Sequence, residues 1–275
     1  SIVVDPGWYV IDFTKDGYVP WEIGDVTLAE DMEIETVTLV PGSVLEVSGD
    51  VSGSWTTSYQ YWVTDNITVP EGETLTIDAG VRVKFFEDTG LVANGTLEVN
   101  GTEGAGVLFT SKSPTPLPGD WTNVQLYGKN NVISYLDYEW ATDGFTCDGA
   151  NNSSFDNLYI GGTLTLSAQG IFLSDSPNSS FTNNTISVGG ENGIYCQTCP
   201  NSSFSNNNIA ADNRGILSDN SEGSIISYND IYTNGEDGIK MDNCSDCTFE
   251  NNTVIGRPTE GIEADYSNNA IFTNN

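Results

Sequence analysis

One feature of the sequence restricts the fold more than any other: a repeat of 22 or 23 residues that fills the chain from Gly170 to Asn275. A glycine followed by isoleucine returns there at spacings of 23, 22, 23 and 23 residues. The five glycines are Gly170, Gly193, Gly215, Gly238 and Gly261. A fixed period of this length is typical of repeat proteins, in which each unit buries its apolar face by stacking on its neighbours.

Positions within each repeat are counted here from the glycine as position 1. Apolar residues recur at positions 2, 12 and 17, and no stripe with a helical period of 3.6 lasts three turns. The pattern predicts an all-β, three-sided parallel solenoid of about 22–23 residues per coil, with coils stacked about 4.8 Å apart.

Position 15 is asparagine in all five copies of the repeat. We expect these side chains in the turn between the second and third strands of a coil, because asparagine tolerates left-handed backbone angles and a stacked row can hydrogen-bond along the axis. They are Asn184, Asn207, Asn229, Asn252 and Asn275.

The chain divides into residues 1–60, predicted to form an N-terminal cap and irregular first rungs, and residues 61–275, predicted to form the solenoid. The aromatic stretch from Ser1 to Gly24 is the predicted cap, which a stack of strands needs to cover its open end. Strands are predicted at 74–77, 81–86, 91–99 and 107–110. Loops are predicted at Gly49–Tyr61 and at the proline-rich Ser111–Asp120.

The charge balance is strongly acidic, with 8 Lys+Arg against 39 Asp+Glu and a net charge of −31. Such a chain repels nucleic-acid phosphates and anionic lipid head groups, so neither is an expected partner. No apolar run reaches the roughly 18 residues of a membrane span. We expect an extracellular or cell-surface protein whose leader has been removed ahead of Ser1.

From Val63 to Asn275 the chain resembles right-handed parallel β-helix proteins with pectate-lyase-type repeats, of the secreted bacterial and archaeal cell-surface type. The stretch from Val69 to Phe85, VPEGETLTIDAGVRVKF, is similar to the first coils of such proteins, and the Gly119-Asp-Trp triplet is similar to the start of their regular rungs. The resemblance implies a right-handed helix of single-stranded coils. The family includes lyases, hydrolases, epimerases and non-catalytic surface proteins, so the fold alone does not give the function.

The motifs of the family's galacturonan hydrolases are only partly present. Asn234-Gly-Glu-Asp-Gly-Ile-Lys is similar to one of them, with Asp237 at the place of an acid residue. The next coil lacks the paired aspartates that the family uses, and the chain has no histidine. We therefore assign no catalytic residue, and the missing histidine also argues against the alginate-epimerase pattern.

A calcium-assisted lyase needs only carboxylates to hold Ca²⁺ and a lysine or arginine as base. Residues of these types lie close together in the repeat and can equally form surface ion pairs. The candidates are Arg214, Asp237, Lys240, Asp242, Arg257 and Glu263. No resident metal or cofactor is assigned; Ca²⁺ belongs to the lyase alternative only.

Three apolar residues occupy position 3, which points to solvent, in consecutive coils: Phe172, Tyr195 and Leu217. Such an exposed stripe indicates a partner or glycan surface, unless the insertion at Gly161–Gln169 folds over it. The last coil stops at Asn275, so we expect either that the chain continues beyond it or that another subunit completes the rung by self-association through this open C-terminal end.

Ten Asn-x-Ser/Thr sequons indicate a glycosylated exterior. They begin at Asn66, Asn94, Asn100, Asn151, Asn152, Asn178, Asn183, Asn201, Asn243 and Asn251. The chain also has five cysteines, of which Cys244 and Cys247 are the pair best placed for a local disulfide across a turn.

Two functions follow from the sequence. The first is a non-catalytic, rigid, glycosylated subunit of a cell-surface layer, sheath or filament. The alternative is a carbohydrate-active β-helix, either a calcium-dependent polysaccharide lyase or a glycan-binding module.

Overall fold

The computed structural model describes residues 7–13, 21–28, 43–163 and 168–275. These residues form strands and turns and include no helix, as predicted. In the described part of the chain, nothing helical is therefore long and apolar enough to cross a membrane.

The strands are short and follow one another at the spacing of the repeat. In chain order they are β1 (Gly7–Phe13), β2 (Trp21–Leu28), β3 (Ser43–Asp50), β4 (Gly53–Trp55), β5 (Tyr59–Val69), β6 (Thr74–Asp78), β7 (Arg82–Phe85), β8 (Leu91–Ala93), β9 (Thr96–Asn100), β10 (Val107–Ser111), β11 (Val124–Leu126), β12 (Val132–Ser134), β13 (Leu136–Glu139), β14 (Phe145–Asp148), β15 (Ser154–Asp156), β16 (Tyr159–Thr163), β17 (Gln169–Ser174), β18 (Ser180–Thr182), β19 (Thr185–Val188), β20 (Asn192–Gln197), β21 (Ser203–Ser205), β22 (Asn208–Ala211), β23 (Arg214–Asp219), β24 (Ile225–Ser227), β25 (Asp230–Thr233), β26 (Asp237–Asp242), β27 (Thr248–Glu250), β28 (Thr253–Gly256), β29 (Glu260–Asp265) and β30 (Ile271–Thr273).

Strands β3 to β30 stack into a parallel solenoid of about nine coils, which confirms the predicted fold class. Each regular coil contributes one strand to each of three sides. Sheet A contains β8, β11, β14, β17, β20, β23, β26 and β29. Sheet B contains β4, β6, β9, β12, β15, β18, β21, β24, β27 and β30. Sheet C contains β7, β10, β13, β16, β19, β22, β25 and β28, and β5 pairs with both β7 of sheet C and β8 of sheet A.

The core is built from equivalent positions stacked in register. At position 2 of sheet A, Ile171 pairs with Ile194 and Ile194 with Ile216. In sheet B the rings of Phe181 and Phe204 stack 5.1 Å apart, nearly parallel, at position 12. All five side chains are fully buried. Burial of each large apolar side chain stabilises the fold by roughly 1.5–3 kcal/mol, so these rows dominate the energetics.

The asparagines at position 15 form the predicted ladder. Asn184 Nδ2 donates to Asn207 Oδ1, and Asn207 Nδ2 donates to Asn229 Oδ1, each at 2.9 Å. The left-handed residue of this turn is the preceding one, at position 14, as in Asn183 and Asn206. The asparagine at position 15 is thus selected for hydrogen bonding within the core, while left-handed angles are required one residue earlier.

The repeated glycine at position 1 faces the corner where sheets C and A meet. A Cβ added at Gly193 would lie 2.2 Å from Cγ2 of Ile209, and one at Gly215 would lie 2.2 Å from Cγ2 of Ile231. Only glycine lets the two core strands approach this closely. Since positions 1 and 2 both face the core, the alternation of the strand is interrupted, and position 0, the residue before the glycine, points outward like position 3.

Two predictions about the N-terminal coils were wrong. The stretch Gly49–Tyr61, predicted to be a loop, is part of a coil that contains β4 and the start of β5. The strand predicted at 91–99 is two strands, β8 and β9, because the chain turns at Gly95, where an added Cβ would meet the carbonyl oxygen of Glu73.

The other N-terminal predictions mostly hold. The predicted strands at 74–77, 81–86 and 107–110 correspond to β6, β7 and β10, and the loop before Trp121 follows Ser111. Strands β1 and β2 form an antiparallel pair. The rest of the predicted cap lies outside the described residues, so its capping role and the domain boundary at residue 60 stay predictions.

Candidate functional site

The outer face of sheet A carries three rows of side chains, at positions 0, 3 and 5. The position-0 row is Gln169, Asn192, Arg214, Asp237 and Glu260. The position-3 row is Phe172, Tyr195, Leu217, Lys240 and Glu263, and the position-5 row is Ser174, Gln197, Asp219, Asp242 and Asp265. Unlike the core rows, the position-0 and position-3 rows change residue type from coil to coil, whereas the position-5 row ends in three consecutive aspartates.

Three carboxylates from the position-0 and position-3 rows converge at the C-terminal end of this face. One oxygen each of Asp237, Glu260 and Glu263 lies within 4.8 Å of the other two. The Asp237 side chain is buried, that of Glu263 is partly covered and Glu260 is exposed. The outward turn at the glycine makes this cluster, because it places position 0 of β29 beside position 3 of the same strand.

Two cations border the carboxylates. Lys240 Nζ lies 2.8 Å from Glu263 Oε2 and 3.7 Å from Asp265 Oδ2. Arg214 Nε lies 3.2 Å from Asp237 Oδ2, and the same guanidinium pairs with Glu236. The hydrogen bond to Glu263 raises the pKa of Lys240, and the same bond lowers the pKa of Glu263.

The three carboxylates suit a hard divalent cation. Ca²⁺ takes oxygen ligands at roughly 2.3–2.6 Å, so two oxygens bound to one ion lie at most about 5 Å apart, as these do. Lys240, in contrast, is poorly suited to be a general base. A base needs a pKa near the working pH, whereas the Glu263 carboxylate stabilises the ammonium form.

The structure brings five of the six predicted lyase residues to this face. Asp242 lies at position 5, between Asp219 and Asp265, and burial raises its pKa. Arg257 lies in the exposed turn after β28, and no ion pair joins it to an acidic residue in the described ranges.

Sequence reasoning missed Glu260. A strictly alternating strand points position 0 inward, and the only available signal was the glycine that follows it.

The apolar stripe occupies the position-3 row at the N-terminal end of the same face. The rings of Phe172 and Tyr195 lie 5.2 Å apart, centre to centre, and Leu217 follows in the next coil. All three are half-buried. Tyr195 Oη donates to Asp219 Oδ2 at 3.1 Å, and burial together with this carboxylate raises the pKa of Tyr195 to about 12. Residues 164–167 of the insertion lie outside the described residues, so whether it covers the stripe stays open.

The sequon asparagines lie at the surface, eight of them exposed and two, Asn151 and Asn251, partly covered. Six of the ten have left-handed backbone angles: Asn152, Asn178, Asn183, Asn201, Asn243 and Asn251. Turn geometry selects asparagine there, and serine or threonine follows two residues later, in five of the six cases within the next strand. The repeat therefore generates sequons for structural reasons, and their glycosylation stays a prediction.

All five cysteines are buried thiols. Burial raises the pKa of the Cys147 and Cys196 thiols, which keeps them unreactive. Cys244 Sγ lies 3.3 Å from the Ser218 carbonyl oxygen, and Cys247 Sγ lies 3.3 Å from that of Ser221. The disulfide between Cys244 and Cys247 stays a prediction.

Two family models match the chain. One, described as a right-handed beta helix region, matches residues 119–224 and 143–275; the other, described as a pectate-lyase-like beta helix domain, matches residues 49–171. A search of curated proteins returned no match.

Among solved structures, the periplasmic alginate epimerase AlgG is 16% identical, with a TM-score of 0.47 over 68% of this chain and 56% of its own. The Dettilon tailspike protein is 13% identical, with a TM-score of 0.47 over 85% of this chain and 62% of its own. An alginate lyase from Paenibacillus sp. is 14% identical, with a TM-score of 0.36 over 77% of this chain and 98% of its own. The chain thus spans little more than half the length of the epimerase, and the likeness to these proteins is limited to stacked coils.

Proposed function

The chain belongs to the right-handed β-helix family, and from this premise we propose that it is a calcium-dependent glycan-binding protein that holds a carboxylate-bearing polysaccharide on the outer face of sheet A. The observation that carries the proposal is the convergence of Asp237, Glu260 and Glu263 within 4.8 Å, on the face that also presents the apolar stripe. The description of the second family model agrees with a polysaccharide ligand.

Charge explains why a cation belongs in the proposal. The chain carries a net charge of −31, and an acidic polysaccharide would be repelled by it. A divalent ion held by protein carboxylates can also attract the carboxylate of a sugar. Ca²⁺ takes six to eight oxygen ligands, so the protein and the sugar can both bind it. Asp237, Glu260 and Glu263 would hold the ion, which would supply electrostatic attraction.

Binding is favoured over elimination by the state of the two cations. A lyase reaction needs an unprotonated base beside the sugar ring, and the ion pair with Glu263 keeps Lys240 protonated. Arg214 is paired with both Asp237 and Glu236. Both side chains are better suited to orient a bound carboxylate than to remove a proton.

The proposal keeps a cell-surface location for the protein, but it does not include a role as a structural subunit. A rigid, acidic solenoid that binds glycans suits a cell-surface protein, with exposed sequon asparagines on several sides. Assembly into a layer or filament, and self-association at the C-terminal end, stay predictions from the sequence.

Calorimetric titration tests the proposal directly. The protein is titrated with CaCl₂, and then with polygalacturonate and alginate oligosaccharides in Ca²⁺ or in EDTA. We expect Ca²⁺ binding and Ca²⁺-dependent binding of at least one of these anionic glycans. Glu260→Gln and Glu263→Gln should each weaken Ca²⁺ binding by about tenfold or more, because each removes one of few charged ligands.

The matched control is Asp230→Asn, which removes an exposed carboxylate from the outer face of sheet C. It should leave Ca²⁺ binding unchanged. Equal loss in all three variants would point to general charge screening, and the proposal would fail. If the protein released unsaturated uronates from either polymer, it would be a lyase, and the proposal of binding without cleavage would be wrong.

A further inference from the structure

Three buried side-chain acceptors on the outer face of sheet A have no hydrogen-bond partner. They are Gln169 Oε1, Asn192 Oδ1 and Asp219 Oδ1. Only two other buried side-chain nitrogen or oxygen atoms in the described residues lack a hydrogen-bond partner. Buried polar groups are normally paired, so a concentration of unpaired acceptors on one face indicates that the partner is a ligand or a water.

These acceptors flank the apolar stripe on both sides. Gln169 and Asn192 are neighbours in the position-0 row, and Asp219 lies across the stripe in the position-5 row, where its other oxygen accepts from Tyr195. Asn192 is 97% buried, with 3% of its surface exposed. The face thus offers aromatic rings in the middle and unpaired acceptors at the edges.

We propose that this surface, formed by Phe172, Tyr195, Leu217, Gln169, Asn192 and Asp219, is a subsite for an uncharged, hydroxyl-bearing sugar unit. The inference rests on the proposed glycan-binding function and deepens it. A sugar ring has an apolar face that packs on aromatic side chains and hydroxyl donors around its edge. All three unpaired atoms are acceptors, so the ligand has to supply donors, which hydroxyl groups do and carboxylates do not.

A calcium ion fits this place less well. It takes six to eight oxygen ligands, and the two amides and one carboxylate lie on opposite sides of an apolar stripe. Because the acceptor atoms are covered, binding includes side-chain rotation at this surface. Rotations of this kind are common on binding, while the backbone stays in place.

The subsite specifies the kind of glycan. Asn192 and Glu260 belong to coils three steps apart, which corresponds to about 14 Å along the axis. A chain of a few sugar units covers that distance. The ligand is therefore a heteropolysaccharide in which neutral sugar units adjoin carboxylate-bearing ones, with the neutral unit on the stripe and the charged unit at the carboxylates.

The experiment is a calorimetric titration with neutral hexasaccharides of glucose, mannose, galactose and xylose, carried out in EDTA so that the carboxylate cluster does not contribute. At least one should bind. Tyr195→Ala and Asn192→Leu should each weaken that binding by about tenfold. Tyr232→Ala, which removes an exposed ring from the outer face of sheet C, is the control and should bind like the wild type.

The melting temperature of the Asn192→Leu variant distinguishes a role in binding from a purely structural role of Asn192. Leucine replaces an unpaired acceptor with an apolar group of similar size, so Asn192→Leu should melt at or above the wild-type temperature while binding more weakly. Unchanged affinity in Asn192→Leu would mean that a water satisfies the acceptor, and the inference would be wrong. Failure of every neutral sugar in EDTA would also overturn it, whereas loss of Ca²⁺ binding alone would overturn the calcium proposal and leave the subsite standing.

Discussion

Two polar rows run along this solenoid, one inside and one outside, and they are built differently. The inner row is the asparagine ladder, which repeats one residue and joins each Nδ2 to the next Oδ1 at 2.9 Å. The outer row at position 0 changes at every coil, from glutamine through asparagine, arginine and aspartate to glutamate.

The difference follows from what lies beside each row. A residue of the ladder is surrounded by copies of itself and core backbone, so identical side chains satisfy one another's hydrogen bonds. Position 0 faces outward, where neighbouring coils do not require one repeated residue and unlike residues pair, as Arg214 does with Asp237. Repetition therefore indicates which positions hold the coils together, whereas the changing position-0 row is free to serve the proposed binding of a ligand.

The largest effect is expected in the core. Phe204→Ala should lower the free energy of unfolding by about 3–5 kcal/mol, because the ring is fully buried in the phenylalanine stack. Phe272→Ala, in the same row but half-exposed, should lower it by less than about 1 kcal/mol. Urea denaturation compares the two variants, and equal losses would show that the row does not act through burial.

The ladder and the outer row can be compared through one substitution made in each. Asn207→Leu removes four hydrogen bonds and leaves the buried backbone N–H of Asn184 without its acceptor, while Asn184 Nδ2 keeps its bond to Phe155 O. We expect it to lower the free energy of unfolding by roughly 2–4 kcal/mol, because buried groups are left unpaired. Asn192→Leu should cause no loss. If the two variants unfold alike, the distinction between the rows is wrong.

The glycine row gives a smaller effect with an internal control. In Gly215→Ala the added methyl would lie 2.2 Å from Cγ2 of Ile231, so the corner must move, at a cost of about 1–3 kcal/mol. Gly261→Ala meets nothing within 4 Å and should be nearly neutral. The same denaturation experiment measures both, and a destabilised Gly261→Ala would show that backbone conformation, rather than crowding, selects glycine at this position.

The sequence predicted the fold well because hydrophobic periodicity reports which positions face inward. It predicted the outer face less well because that face depends on one backbone irregularity. Position 0 turns outward because the glycine after it faces the corner with sheet C, where Gly193 meets Ile209 and Gly238 meets Val254, in each case a residue 16 positions later. Asp237 was found through a motif, whereas Glu260 had no such signal.

The N-terminal coils were harder to read for a related reason. Strand β4 pairs with β6 at an offset of 22 residues, but its sequence Gly53-Ser-Trp is short and begins with a turn-forming residue, so it looked like part of a loop. The left-handed backbone conformation was also assigned to the wrong residue of the turn. Asn183 has this conformation, whereas the side chain of the adjacent Asn184 makes the hydrogen bonds of the ladder.

The smallest expected effect lies at the ion pair of the outer face. Lys240→Met removes the hydrogen bond that lowers the pKa of Glu263, so this pKa should rise towards its ordinary value of 4.5. Because the pKa of Glu263 is lowered in the folded protein, the ion pair stabilises the fold at pH values above 4.5. This contribution is lost as the pH falls through the pKa of the folded state. Carboxyl NMR titration of Glu263 measures the change.

Stability at neutral pH should hardly respond to Lys240→Met, since water screens an ion pair at the surface. Calcium affinity, in contrast, should increase. Without the ammonium group of Lys240, no cation competes with Ca²⁺ for Glu263 at neutral pH. A variant that is as stable as the wild type and binds Ca²⁺ better would show that the outer row is adapted to a ligand rather than to the stack. Weaker Ca²⁺ binding would instead show that Lys240 holds Glu263 in its ligand position.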